Sequence, residues 1–333
     1  MTRKLRITVL AAAVLLLCLC CVCTAEEAVK KLTIVQPPMK TRYLEGEAFD
    51  PAGMIVDAIL EDESVLHDVD YEYACSEITP NGSCMVTISY GEKSVNQVIF
   101  YTKLGNSEPY SVASTDLIPD SPLKGRTYVF LGSSVTYGAS SEKESMVDFL
   151  MARDGAVCYK EAVSGTTLAV LKGADGKKSY VTRLNTFIEK NMCPVTPDAF
   201  ICQLSTNDMH HPEVFGEITA EEVRDKDAFN TATTFGAMEY ITALAKEIWG
   251  CPVVFYTNSF LDNPDYETMI AGLYQLQEKW GVTVIDLYND AEFNQITEEE
   301  RALYMADSIH PTKAGYRDWW LPKFEEALTG FLP

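Results

Sequence analysis

The sequence is poor in groups that bind metal ions. It has four histidines, its Cys-x-x-Cys pairs fall only within residues 18–23 near the N-terminus, and the rest of the chain has no such pair and no cluster of cysteine and histidine with the spacing of metal ligands. Tetrahedral zinc sites need such a cluster of nitrogen and sulfur ligands. These absences argue against a zinc site in this chain.

Basic residues are also scarce. The chain has 27 lysines and arginines against 48 aspartates and glutamates, which gives a formal net charge of −21. A surface this acidic repels phosphate backbones and anionic lipid heads, so we expect no nucleic acid partner and no peripheral membrane binding. Neutral or sugar-like partners remain open. Apolar residues make up 47% of the 333 residues, enough for a sizeable core. The length allows two domains of about 150 residues each.

The N-terminus carries the pattern of an export signal. A basic start is followed by an apolar run over residues 7–22 and by small residues that end at Ala25. This pattern predicts a signal peptide over residues 1–25 and a secreted or cell-surface protein. One alternative is a permanent membrane anchor, for which the apolar run is short. A second alternative is a lipid anchor on one of the four cysteines in this stretch, although the residues before them fit poorly.

Residues 31–103 form the first predicted domain, an all-β sandwich. Short runs rich in β-branched residues alternate with turns that contain proline and glycine, which is typical of such sandwiches. The stretch from Pro37 to Gly53 resembles the bacterial immunoglobulin-like domains of surface proteins. This resemblance implies a spacer, or a contact with a cell surface or a polysaccharide. Cys75 and Cys84 flank a turn in this domain, and a disulfide and two free thiols are both consistent with their placement.

The period of the apolar residues changes after a polar stretch. Residues 104–125 are polar and contain several prolines, so they predict a linker. From residue 126 to residue 333, apolar strands alternate with helical stretches, which predicts a parallel sheet with helices on both faces. The predicted strands are residues 128–131, 157–162, 199–204, 253–257 and 282–287. The predicted helices are residues 144–154, 180–190, 233–249, 265–280 and about 312–328.

Residues with catalytic chemistry follow the predicted strands or precede the last helix. Because the carboxyl ends of parallel strands lie at one edge of a sheet, such residues are expected to converge there. They are Ser133, Ser134, Gly165, Asn207, Asp307 and His310.

These residue types have recognised roles in nucleophilic catalysis. A serine after the first strand, Ser133 or Ser134, is a weak nucleophile unless a base takes its proton, and His310 can be that base. Asp307, three residues before His310, can orient the imidazole through its other nitrogen. The backbone amides of Ser134 and Gly165 and the side-chain amide of Asn207 can bind the oxyanion of a tetrahedral intermediate.

The sequence leaves alternatives open for the base and for the residues of the substrate pocket. His210 and His211 are the other candidate bases, and one of them could instead line the substrate pocket. By position alone, Tyr137, Thr166, Met209 and His210 are the candidates for that pocket.

The same residues carry a resemblance to a known family. Residues 132–138 (Gly-Ser-Ser-Val-Thr-Tyr-Gly) are similar to the first block of the SGNH, or GDSL-type, esterases and lipases. Gly165 matches the second block, Asn207 the third, and residues 307–311 (Asp-Ser-Ile-His-Pro) the last. Two positions depart from the family pattern: Ser133 stands where the family usually has aspartate, and Ser205 where the third block often has glycine.

The resemblance implies an α/β domain with a flavodoxin-like three-layer fold. It also implies hydrolysis of esters through an acyl-enzyme, without a metal or an organic cofactor. Carried over by position, Ser134 is the nucleophile, His310 the base and Asp307 the orienting carboxylate. Gly165 and Asn207 join the Ser134 amide in the oxyanion hole.

Together these features predict a secreted serine carboxylic-ester hydrolase that deacetylates carbohydrate. A lipase or lysophospholipase is the first alternative, but the chain has no long apolar loop between strands to form a lid. The second alternative is a non-catalytic surface protein that binds carbohydrate or mediates adhesion. The presence of all five residues of the catalytic set argues against this second alternative; the set is Ser134, Gly165, Asn207, Asp307 and His310.

Overall fold

The computed structural model describes residues 28–79, 82–173 and 175–330. The predicted signal peptide of residues 1–25 therefore lies outside the described residues. The described chain divides into two compact units, one of residues 28–41 and 49–100 and one of residues 42–48 and 101–330. None of the helices in these ranges is both long enough and apolar enough to cross a bilayer.

The N-terminal strands form antiparallel sheets. One sheet has the order β1-β3-β4, and in another β6 lies between β5 and β7. Alternate side chains such as Val56, Ala58, Val86 and Ile88 are buried, as expected for strands with one face towards a core. This architecture confirms the predicted all-β N-terminal domain. The strands are β1 (Val29–Gln36), β2 (Arg42–Leu44), β3 (Ile55–Leu60), β4 (Val65–Leu66), β5 (Glu72–Cys75), β6 (Ser83–Tyr90) and β7 (Lys93–Thr102).

The cysteines of the described ranges are all free thiols. Cys84 is buried on β6, where its thiol donates to the Ser76 carbonyl at 3.4 Å, and Cys75 is exposed at the end of β5. Of the two alternatives for this pair, the structure has the free thiols. In the same described residues, no three cysteine, histidine or acidic side chains are grouped so that they could hold a metal ion.

The second unit contains a five-stranded parallel sheet of order β9-β8-β10-β11-β12 with helices along the chain between its strands. This sheet confirms the predicted α/β fold. Its strands are β8 (Thr127–Gly132), β9 (Val157–Ala162), β10 (Ala199–Gln203), β11 (Val253–Tyr256) and β12 (Thr283–Ile285). The helices are α1 (Ser134–Tyr137), α2 (Met146–Asp154), α3 (Tyr180–Glu189), α4 (Thr234–Trp249), α5 (Pro264–Trp280), α6 (Glu298–Tyr304) and α7 (Leu321–Thr329).

Both faces of this sheet are buried, which produces three layers. Val129 and Leu131 of β8 point into a core shared with α3, α4 and α5. Tyr128 and Phe130 point the opposite way, into a core shared with α2 and α7. Successive residues of a strand face opposite sides, so a strand covered on both sides must be apolar throughout. This requirement explains why β8 could be recognised as a continuous apolar run.

One buried acidic pair makes the stability of this unit depend on pH. Glu325 of α7 lies beside Asp154 at the end of α2, and its side chain is 20% exposed. Burial and the neighbouring Asp154 carboxylate raise the pKa of Glu325 to about 7, although Arg153 is also close to it. The unfolded chain releases this proton near the ordinary value of 4.5. The native state therefore binds more protons between these two values, and stability falls as the pH rises through that window.

We expect Glu325→Gln to remove this loss of stability. The unfolding temperature of the wild type should decrease by several degrees between pH 4.5 and pH 8, and the variant should show a smaller decrease. Thermal unfolding followed by circular dichroism measures both. The exposed neighbour Glu326 provides the control, because Glu326→Gln should follow the wild type. Parallel curves for Glu325→Gln and the wild type would contradict the prediction.

Candidate active site

The loops that follow three strands lie at one edge of the parallel sheet. Gly132, the last residue of β8, is in register with Ala162 of β9, and Leu131 is in register with Cys202 of β10. Ser134 begins the short helix α1 directly after β8. The first amide of a helix has no acceptor within it, so the Ser134 amide can donate to a ligand at this edge.

Ser134, His310 and Asp307 form a continuous chain of hydrogen bonds. The Ser134 Oγ lies 2.8 Å from the His310 Nε2, and the His310 Nδ1 lies 2.9 Å from the Asp307 Oδ2. Nε2 can therefore accept the hydroxyl proton while Nδ1 donates to the carboxylate. The structure thus brings together a serine and a histidine that are 176 positions apart in sequence.

Asp307 is held in its ionised form by its own loop. Its Oδ1 accepts the backbone amides of Ile309 and His310, each at 2.8 Å. Burial acts to raise the pKa of this carboxyl, but the hydrogen bonds from the His310 ring and from these amides outweigh it and lower the pKa to about 2. Asp307 is therefore an anion at any pH at which an imidazole base is neutral. Its side chain nevertheless remains 52% exposed.

The loops that carry Gly165 and Asn207 are bonded to each other. The Thr166 carbonyl accepts the Asn207 Nδ2 at 2.9 Å and the Ser205 Oγ at 3.1 Å. An asparagine amide has two protons, so this bond leaves one for a ligand. Gly165 has φ of +73° with no atom within 4 Å of the position of a Cβ, so its conformation requires glycine and the space above it is open.

A buried glutamine holds the turn that begins with Ser133. The Gln203 Oε1 accepts the Ser133 amide at 2.9 Å and the Thr136 hydroxyl at 2.8 Å. Ser133, at the position where the family usually has aspartate, is fully buried, and its hydroxyl lies 3.3 Å from the same oxygen. A Cβ on Gly132 would lie 1.6 Å from the Thr136 hydroxyl oxygen, so this turn also requires glycine.

Arg183 is a site residue that the sequence reasoning missed. Its Nη2 donates to the Gly132 carbonyl at 2.7 Å and to the Thr166 hydroxyl at 3.2 Å, and its Nη1 donates to Glu161 at 3.0 Å. The guanidinium therefore ties the strand before Ser134 to the loop that contains Gly165. A charged residue on the core-facing side of α3 was the signal, since buried arginine requires several partners.

Asp208 and Asn106 were also missed. Asp208 is completely buried and accepts the amides of Leu168 and Ala169; burial raises its pKa, although these bonds oppose the shift. Its position after Asn207 could have indicated this role. Asn106 donates to the Ser140 carbonyl at 2.7 Å and accepts the Lys313 amide at 2.9 Å. No sequence pattern identifies Asn106, because its partners are more than 30 residues away.

The four predicted pocket residues have different surroundings. Met209 lines an open groove of about 820 Å³ that Asp307 also lines. Thr166 is 5% exposed and donates its hydroxyl to the Val163 carbonyl. Tyr137 is half-buried, and His210 is exposed in the turn after Asn207. Their place in a substrate pocket stays a prediction.

Comparisons with known proteins give two family matches. The family of GDSL-like lipases and acylhydrolases matches residues 130–317. The bacterial Ig-like domain of group 3 matches residues 36–112. A comparison with curated proteins gave no match.

Solved structures are similar to about 62% of the chain. A Lactobacillus plantarum protein is 20% identical, with a TM-score of 0.49, over 63% of this chain and 99% of its own. A carbohydrate acetylesterase family member from Sinorhizobium meliloti is 14% identical, with a TM-score of 0.42, over 62% and 99%. An aryl esterase of M. smegmatis is 15% identical, with a TM-score of 0.40, over 62% and 100%.

The first family match spans more than half of the 333 residues. It includes the hydrogen-bonded serine, histidine and aspartate and both loops beside them. The match agrees with the parallel sheet and with the edge at which these residues meet. The chain belongs to the GDSL-like lipase/acylhydrolase family of ester-hydrolysing enzymes.

Proposed function

We propose that this enzyme hydrolyses acetyl esters of carbohydrate through an acyl-enzyme on Ser134. The observation that carries the proposal is the chain of hydrogen bonds from Ser134 through His310 to Asp307, with distances of 2.8 and 2.9 Å. A serine needs an adjacent base to attack an ester, and the base needs an acceptor that fixes its tautomer. The hydrogen bonds of Ser134, His310 and Asp307 supply both the base and its acceptor.

Acylation begins when the Ser134 Oγ attacks the ester carbonyl carbon. His310 takes the hydroxyl proton, a tetrahedral oxyanion forms, and the imidazolium is stabilised by the Asp307 carboxylate. The bond to the alkoxide then breaks, and His310 returns the proton to the leaving oxygen. The acyl group now rests on Ser134 as an ester. Water, deprotonated by His310, attacks this ester and releases the acid while the proton returns to Ser134.

The oxyanion of each tetrahedral intermediate needs fixed donors. The Ser134 amide, the Gly165 amide and the second proton of the Asn207 side chain are the proposed donors. Asn207 is held by its bond to the Thr166 carbonyl, so its side chain needs little reorganisation when the oxyanion forms. Donors aimed at charge that develops only in the transition state lower the barrier without strengthening ground-state binding.

We expect Asn207→Ala to lower kcat by about 10²–10³-fold with little change in KM. Asn207→Asp should lose at least as much, because a carboxylate repels the oxyanion. Steady-state kinetics on p-nitrophenyl acetate measure both, and Asn289→Ala, in an exposed turn after β12, is the matched control. A rise in KM with unchanged kcat would contradict the oxyanion role.

The proposal of a carbohydrate substrate rests on composition and domain arrangement. A net charge of −21 disfavours anionic lipids as substrates. A group 3 Ig-like domain precedes the hydrolase domain, and we propose that it serves as a spacer or contacts polysaccharide. The basic and apolar N-terminal runs support export, so the enzyme is proposed to act outside the cytoplasm.

A panel of esters tests the proposed function. Acetate release should be observed from acetylated xylo-oligosaccharides and from p-nitrophenyl acetate. Turnover of p-nitrophenyl esters should decrease as the acyl chain lengthens from acetyl to decanoyl. A preference for decanoyl esters would support a lipase instead. Negligible turnover of all esters, together with binding of the oligosaccharides, would support a non-catalytic carbohydrate-binding protein.

A further inference from the structure

An open groove lies beside the loop that carries Asp307 and His310. It has a volume of about 820 Å³ and is lined by the segment after β11, by α6 and by residues 305–309. Met209, two residues beyond Asn207, forms part of its wall. Pockets of about 300–1,000 Å³ hold drug-sized ligands. This groove is therefore much larger than an acetyl group requires, and it adjoins both the loop of the base and the loop of Asn207.

Phe260 supplies a fixed aromatic surface in this groove. Phe260 is 48% exposed, so a large apolar surface faces the groove. Its ring packs against Tyr288 with 5.2 Å between the ring centroids, and its backbone amide donates to the Asn294 side chain at 3.0 Å. An exposed ring that is already held in place loses little entropy when a flat apolar face packs on it.

The charges in the groove favour a neutral partner with many hydroxyls. Asp262, Glu298 and Asp307 bring three carboxylates to it, whereas Arg301 is the one cation among the described lining residues. Carboxylates accept hydrogen bonds from hydroxyls, and a guanidinium donates to their oxygens. The same three carboxylates repel a phosphate or a carboxylate on the ligand. A sugar chain combines hydroxyl groups with apolar C–H faces that can pack on an aromatic ring.

The groove also exposes the carboxylate that orients the base. The Asp307 side chain is 52% exposed, and water screens its attraction for a protonated His310. A ligand that fills the groove removes this water. The Asp307 carboxylate then stabilises the imidazolium more strongly in the transition state, where the imidazolium forms.

We propose that this groove binds the alcohol portion of the ester, a neutral sugar chain of two or more units that packs on Phe260, and that its binding covers Asp307. The proposal rests on the proposed ester hydrolysis at Ser134. The groove would then both select the substrate and contribute to the rate of acylation. A substrate long enough to fill the groove acylates Ser134 faster and has a higher kcat/KM, whereas a small ester has neither advantage.

Kinetics on matched substrates test the groove. For the wild type, kcat/KM should be higher for monoacetylated xylotriose than for monoacetylated xylose. Phe260→Ala should lower kcat/KM for acetylated xylotriose by about 10-fold and leave p-nitrophenyl acetate within about two-fold. Phe260→Tyr keeps the ring and should retain the wild-type ratio between the two substrates. Phe100 is 41% exposed in the N-terminal unit, so Phe100→Ala is the matched control and should change neither rate.

The outcomes separate this proposal from the function on which it rests. An equal effect of Phe260→Ala on both substrates, or no effect on either, overturns the assignment of the groove. Turnover of p-nitrophenyl acetate without turnover of any acetylated oligosaccharide also overturns it, but leaves ester hydrolysis at Ser134 intact. A wild-type protein that hydrolyses no ester at all contradicts both proposals.

Discussion

Replacing Ser134 by alanine is expected to lower kcat for ester hydrolysis by about 10⁵–10⁶-fold. The variant lacks the oxygen that would form the acyl-enzyme, so only water attack assisted by the oxyanion donors remains. The loss of one oxygen from a residue that is 8% exposed should leave the fold unchanged. Steady-state turnover of p-nitrophenyl acetate measures the loss, and circular dichroism checks the fold.

The neighbouring serine provides the matched control for this prediction. Ser133 has the same side chain one position earlier, but its hydroxyl lies 3.3 Å from the Gln203 Oε1 and has no bond to His310. Ser133→Ala should therefore retain kcat within about 10-fold, with the loss due to a weaker hold on the turn. Similar losses in the two variants, or activity retained in Ser134→Ala, would contradict the assignment of the nucleophile.

Replacing His310 by glutamine is expected to lower kcat by about 10⁴–10⁶-fold. Glutamine fills a similar volume but cannot take the proton of Ser134, so the hydroxyl remains a weak nucleophile. Asp307 keeps its bonds to the amides of residues 309 and 310, so the loop should stay in place. The same assay measures the loss. Changes in kcat rather than in KM are expected, because the base acts in the transition state.

The other two histidines of this unit are the controls for His310. His210 is exposed, and His211 lies 3.5 Å from Glu213. His210→Gln and His211→Gln should each keep kcat within about three-fold. The double variant Ser134→Ala with His310→Gln should be no slower than Ser134→Ala alone, because residues that act as one unit are not additive. A large loss in either control would assign the base elsewhere.

The architecture of the second unit could be predicted because its local patterns agree with its tertiary structure. β8 and β10 are mostly apolar runs between turns, and these two strands and the more polar β9 were each predicted to within one residue at either end. The last helix was predicted only in outline. It contains a π-helical stretch at Gly315–Trp320 before α7 begins. Pro322 lacks the amide that would bond four residues back and its ring crowds that carbonyl, which accounts for the break in the regular helix.

The stretch predicted as a linker shows what local composition cannot supply. Its polar residues form three short 3-10 turns, at Leu104–Asn106, Glu108–Tyr110 and Val112–Ser114. Asn106 then bonds to the chain on both sides of the site, at Ser140 and Lys313. These contacts depend on which distant segments lie side by side in the fold, and the local sequence pattern does not predict this. The domain boundaries at residues 103 and 125 stay predictions.

The candidate site also contains residues that the sequence could indicate and residues that it could not. Residues whose chemistry is distinctive, such as Ser134, Asn207 and the Asp307–His310 pair, could be proposed for the site from residue type, from their places in the predicted fold and from the resemblance to the GDSL-type family. Residues that support them could not, because Gln203 and Arg183 act through bonds to backbone groups on other strands. The signals that remain are a polar residue at the end of an apolar strand for Gln203 and a charged residue on the core-facing side of α3 for Arg183.

We propose that Ser134 is the residue acylated during turnover, and covalent labelling tests this assignment most directly. The protein is treated with a fluorophosphonate, which reacts with an activated serine, and the adduct is located by peptide mass spectrometry. We predict one adduct per chain, on Ser134, that is absent from Ser134→Ala, strongly slowed in His310→Gln and unchanged in Ser133→Ala. An adduct on a different residue, or labelling of Ser134→Ala at the wild-type rate, would contradict the assignment of Ser134 as the nucleophile.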